Sequence, residues 1–167
     1  MDVRLIVTYD PAHEQSCQES LKNVMDNIGV KVKLLKSKYS GIFLLDVPGA
    51  KEVVKKLAGL SKKDSQVFGK THRYIPVDKW VSSKVPDMQK AIKSLVPGIG
   101  ENEKWKMDLE KRHYHKLEYD ELIMKLTDVV DRRKIDLRKP KKIIKVEIIG
   151  ANAGISLLEP GESLTVS

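Results

Sequence analysis

Eight of the fourteen residues from 132 to 145 (RRKIDLRKPKKIIK) are cationic: Arg132, Arg133, Lys134, Arg138, Lys139, Lys141, Lys142 and Lys145. Asp136 is the one acid among them, so this window carries +7 of the chain's formal +8. The chemistry open to such residues is anion binding. Guanidinium groups hold phosphate oxygens in pairs, and ammonium groups add point charges. Charge concentrated in this way is the electrostatic footprint of a polyanion-binding surface, and nucleic acid is the first partner to consider. Ile135, Leu137, Ile143 and Ile144 are threaded through the run, and an apolar strand pattern continues to Ile149. The charges are therefore expected on folded backbone and not on a loose tail. Asp136 stands between Arg133 and Arg138, where it either orients the arginines or caps a turn before Pro140. Lys106, Lys111 and Arg112 would extend the cationic track along a neighbouring strand.

Other chemistries fail on spacing. Gly69-Lys70-Thr71 looks like the end of a phosphate-binding loop, but that loop needs a glycine where Asp64 stands and a helix afterwards. A strand containing Pro76 is expected there instead, and no GxGxxG occurs. His113 and His115 can share a strand face, yet zinc needs three or four ligands and no partners follow at ligand spacing. Cys17 has His13 one helical turn earlier, which superficially resembles a thiol–imidazole pair. Helical phase places Cys17 with Leu21 and Val24, as a packing residue. Asp108, Glu110, Glu118, Asp120 and Glu121 are scattered beside Lys and Arg, without the paired environments that acid–base work needs. No nucleophile elbow is written. The chain is expected to be non-catalytic, with no cofactor and no metal.

The positioning elements follow from periodicity. Residues 3–8 read as a strand. Cys17, Leu21, Val24, Met25 and Ile28 recur at helical spacing up to Gly29. Residues 32–35 and 42–47 suit a hairpin, and Val53, Val54, Leu57 and Ala58 mark a second helix ending near Gly59. Residues 71–77 form a further strand. The order β-α-β-β-α-β is that of a ferredoxin-like unit. In the second half, Met88, Ile92 and Leu95 mark a short helix, Trp105–Arg112 a strand with one wet face, and 119–130 an amphipathic helix. Strands are expected at 142–149, 155–158 and 163–166. The boundary falls between Lys79 and Lys84, giving domains 1–80 and 81–167.

Composition narrows the class further. Aromatic residues make up only 5% of the chain, too few for a sheet that stacks several bases, so phosphate and shape contacts are the expected mode. A single cysteine allows no internal disulfide and fits a reducing compartment. No apolar run approaches the roughly 20 residues of a membrane span, and the N-terminus is not a secretory signal. A cytoplasmic location with no membrane partner is expected.

The order of these elements carries a resemblance. A helix, a strand with Lys and Arg at its end, an amphipathic helix, then Ile135-Asp136-Leu137 with Pro140 and the alternating strand KIIKVEIIG together resemble the THUMP domain, over roughly residues 81 to 167. The first 80 residues, with their Tyr74-Ile75-Pro76-Val77 exit, look like the ferredoxin-like domain that commonly precedes it. The resemblance implies an α/β (α+β) chain of two domains that grips the acceptor arm and 3′ end of tRNA for a modification enzyme. Most members carry that enzyme fused. This chain ends at Ser167 without a methyltransferase, thiouridine synthetase or deaminase, so it is similar to the stand-alone adaptor of the cytidine N4-acetyltransferase. The expected partners are tRNA and that enzyme in trans. Two other readings stay open: an RNA-modifying enzyme whose site is not evident, and a protein associated with rRNA or the ribosome.

Overall fold

Cys17, Leu21, Val24 and Met25 do fall on one buried stripe, that of α1 (Glu14–Asn27). The structure, a computed structural model, describes residues 2–166, which divide into two units: 2–77 with 161–166, and 78–160. In the first unit, β1 (Leu5–Tyr9) leads into α1, and Asp10 accepts a hydrogen bond from the Ala12 amide as the chain turns at Pro11. Gly29, at φ +72°, turns the chain out of α1, and the Val30 amide closes back on the Met25 carbonyl. There follow β2 (Lys33–Leu35), β3 (Ile42–Asp46), α2 (Ala50–Lys63) and β4 (Thr71–Pro76). The strands pair antiparallel in the order β2-β3-β1-β4, the ferredoxin-like arrangement. Both helices cover one face of the sheet, Val24 of α1 and Val54 and Leu57 of α2 joining Leu5, Val7, Leu45 and Tyr74 in one core.

The second helix runs past its expected end at Gly59 as far as Lys63. Leu60 continues the stripe of Val53, Val54 and Leu57 onto the same core, and this packing outweighs the weak helix propensity of a single glycine. Lys62 and Lys63 occupy the last turn, where cations face the carbonyl end of the helix.

The second unit contains β5 (Lys79–Ser82), α3 (Val85–Leu95), β6 (Trp105–Arg112), α4 (Tyr119–Thr127), β7 (Lys142–Ile149) and β8 (Asn152–Leu158). Its sheet order is β5-β8-β7-β6. Lys79–Ser82, where the domain boundary is expected, is an edge strand on β8, since four residues pair in the ladder there. β6 runs parallel to β7, with Leu109 opposite Val146. Parallel neighbours cannot be joined by a tight turn, so the chain crosses over through α4 and must return along residues 128–141. That return path is the basic segment. The two helices cover Trp105, Leu109, Ile144, Val146, Ile148 and Ile155 on one face of the sheet.

The last strand, β9 (Leu164–Thr165), corrects the expected domain limits. It pairs with β4, Tyr74 opposite Leu164, so residues 161–166 complete the first sheet instead of ending the second unit. Leu164 and Val166 pack against the first core, which is what draws the segment back.

Candidate nucleic-acid interface

Residues 131–141 are a loop held from the start of β6. Trp105 is the anchor, with 1% of its surface exposed. Its amide donates to the Lys134 carbonyl and its carbonyl accepts from the Asp136 amide, both at 2.9 Å, which makes a parallel bridge to Ile135. Its indole Nε1 donates to the Arg132 carbonyl at 3.1 Å. One residue earlier, the Lys104 carbonyl accepts from the amides of Lys141 and Lys142 at 2.8 and 3.1 Å. Two consecutive residues thus hold both ends of the basic loop.

Asp136 fixes the middle. Its Oδ1 accepts from the amides of Arg138 and Lys139 at 2.9 and 3.0 Å, and its Oδ2 lies 3.4 Å from Lys104 Nζ. The Lys139 and Arg138 amides, helped by the Lys104 ammonium, hold this carboxyl below the usual carboxylate range. Of its two expected roles, capping the turn is the one observed, and its ionic partner is a lysine outside the charged window. Ile135 and Leu137, expected to root the loop in folded backbone, are 59% and 73% exposed. The backbone is folded, but its root is Trp105.

Several expected cations are bound into the fold. Arg132 donates from Nε to the Ile99 carbonyl at 2.7 Å and from Nη2 to the Val96 carbonyl at 3.3 Å, and it pairs with Asp131. Lys145, which is 2% exposed, lies 3.0 Å from Glu147 and 3.3 Å from Asp108. Arg112 meets the same Glu147 at 2.7 Å. Lys111 donates to the Tyr114 carbonyl at 3.4 Å. Lys142 is 3.2 Å from Glu103 and 3.6 Å from Glu159, and hydrogen bonding to Glu103 raises its pKa. Glu103 is lowered in turn, first by the Gly100 amide and then by Lys142. β6 has eight residues and spans about 23 Å at about 3.3 Å per residue. Lys111 and Arg112 therefore sit at the far end of that strand from the loop, and the expected track is interrupted.

The rest converge. Arg133, Lys134, Arg138, Lys139 and Lys141 are exposed. Arg138, Lys139, Lys141, Lys142 and, from β6, Lys106 line a cleft of about 1000 Å³ with Pro140, Ile143 and Pro160. Lys104 lines it too. It lies outside the charged window, and only the parallel register that sets Trp105 opposite Lys142 brings it in. The two carboxylates in the cleft, Glu103 and Glu159, both face Lys142, so the remaining cations dominate the field. Spaced cations on a rigid loop suit the phosphates of a folded nucleic acid.

Cys17 is fully buried, and that burial pushes its thiol pKa up. His13 approaches Asp10, at 3.9 Å. His113, at φ +56°, and His115 are exposed in the loop after β6. Among the described residues no three His, Cys, Asp or Glu side chains gather where a metal could sit, and no helix is long and apolar enough to cross a membrane.

No family model matches the chain, and no curated protein matches it either. Solved structures do. PH1313 from Pyrococcus horikoshii Ot3 matches with a TM-score of 0.66 at 15% identity, over 95% of this chain and 55% of that one. TrmN from Thermus thermophilus matches with a TM-score of 0.63 at 12% identity, over 99% and 47%. A 4-thiouridine synthetase solved as an RNA complex with bound ATP matches with a TM-score of 0.52 at 18% identity, over 95% and 42%. The chain spans about half the length of these structures. At such identities the likeness is one of fold: an α+β chain whose first unit has the ferredoxin-like strand order.

Proposed function

We propose that this chain is a non-catalytic tRNA-binding adaptor. In this reading it presents the acceptor arm and 3′ end of tRNA to a modification enzyme acting in trans, with N4-acetylcytidine as the product. The observation that carries the proposal is the cleft, where Lys104, Lys106, Arg138, Lys139 and Lys141 surround an anchored loop. Such a surface takes phosphates by position and shape and offers no base-specific pocket. A shared fold with a 4-thiouridine synthetase solved in an RNA complex supports RNA as the ligand and a link to nucleoside modification. The resemblance to the stand-alone THUMP adaptor supports the choice of acetylation.

Nucleoside mass spectrometry of tRNA from a strain lacking this chain tests the proposal. Loss of N4-acetylcytidine is expected, together with weaker binding of tRNA trimmed at its 3′ end than of intact tRNA. Equal binding of both would point to general RNA binding, as on rRNA. Modification of tRNA by the purified chain and a group donor alone would make it an enzyme.

A further inference from the structure

In the first unit, a groove of about 660 Å³ lies between α1 and the edge strand β2. Leu21 and Met25 of α1 line it opposite Val32 and Leu34. Leu34 is 41% exposed, one of few large apolar side chains so open to water in this chain. Among the described residues β2 is paired only with β3, so its outer edge presents main-chain groups outside any ladder, a template for one more strand. Lys31, Lys33 and Lys36 are exposed along this edge, with Lys22 across the groove. Glu19 and Asp26 are the carboxylates in the lining, leaving the edge itself cationic.

We infer that this groove receives an extended segment of a protein partner, apolar at alternate positions and acidic between them, which adds to β2 as a strand. Successive side chains of a strand point to opposite faces. One face of the added segment would meet Leu34 and the apolar lining, while its acidic residues meet the lysines. The lining of α1 runs from Gln15 to Asp26, about 17 Å at about 1.5 Å per residue, the span of a strand of about five residues. A second copy of the chain is a poor occupant, because pairing β2 with itself sets lysines against lysines. The apolar part of the lining is aliphatic, and no aromatic ring on which a nucleobase would stack lies in it. The inference does not depend on RNA binding by the second unit.

The test uses the full chain, labelled with nitrogen-15, and two synthetic octapeptides in which valine or isoleucine alternates with Glu and Asp or with Lys. Oligouridylate is the third probe. The acidic peptide is expected to bind and to shift the amides of residues 31–36 and the groove side of α1, while the other probes leave them unmoved. Lys31→Glu, Lys33→Glu and Lys36→Glu together should weaken the acidic peptide about tenfold or more and admit the lysine peptide, since each lost pair counts for a fraction of that. Leu34→Asp, with an unchanged thermal transition, should weaken the acidic peptide as well. No shift in residues 31–36 at millimolar acidic peptide, equal binding of the lysine peptide to the unaltered chain, or shifts there with oligouridylate would each overturn the inference.

Discussion

Trp105 donates from its indole to the carbonyl oxygen of Arg132 at 3.1 Å, so a core side chain of β6 also fastens the basic loop. If the loop binds RNA as proposed, stability and RNA affinity are coupled through one residue. Trp105→Phe keeps a buried ring but removes the donor, leaving the Arg132 carbonyl to find another. The lost hydrogen bond should cost about 0.5–1.5 kcal/mol in urea unfolding and the space left by the smaller ring should add to it, with weaker RNA binding in the same preparation. Unchanged affinity beside reduced stability would uncouple loop and core.

The loop cations divide into two groups that respond differently. Replacing Arg138, Lys139 and Lys141 by Ala should flatten the dependence of log affinity on log salt by about 0.7–0.9 per lost phosphate contact, with the unfolding midpoint held. Arg132→Ala should do the reverse. It forfeits the bonds to the Val96 and Ile99 carbonyls, about 1–3 kcal/mol, and should leave the salt slope nearly as it was. Filter binding from low to moderate salt, beside urea titrations, separates the two.

Glu147 is fully buried between Arg112 and Lys145. Glu147→Ala leaves the nearly inaccessible Lys145 ammonium with Asp108 as its remaining carboxylate, and should cost up to about 3–5 kcal/mol. Replacing both partners, with Lys145→Met and Glu147→Leu, should recover much of that loss, because well-packed apolar groups need no counter-charge. Denaturation of the two variants side by side reads the difference.

Acid should loosen the loop with a definite sign. The Asp136 carboxyl titrates lower in the folded chain than its ordinary value of about 3.9. Its contribution is therefore complete above that value and is lost as the pH falls through the depressed folded one. Glu103 shifts in the same direction and adds to the same acid limb. Asp136→Asn keeps an oxygen for the turn but cannot titrate, so its stability should fall less steeply below about pH 4 than that of the unaltered chain. Superimposable acid limbs would mean that Asp136 does not contribute.

Local pattern made part of this protein legible without coordinates. Apolar spacing at 17, 21, 24 and 25 marks a helix whatever surrounds it, and the strand alternation and the ferredoxin-like order follow from the same short-range periodicities. The charge of the 132–145 window is likewise a sum over neighbours in the chain. What the tertiary structure decided is which of those charges are available. Arg132 turns to carbonyls at positions 96 and 99, Lys142 to carboxylates at 103 and 159, and Lys145 to Asp108, all through pairings distant in sequence. The parallel register of β6 and β7 adds Lys104 to the cleft, and β9 returns to the first sheet because its apolar residues find a core there. Periodicity reports which way a side chain faces along its own element, whereas ion pairing and strand order depend on which distant element lies opposite, and that is set only when the chain packs.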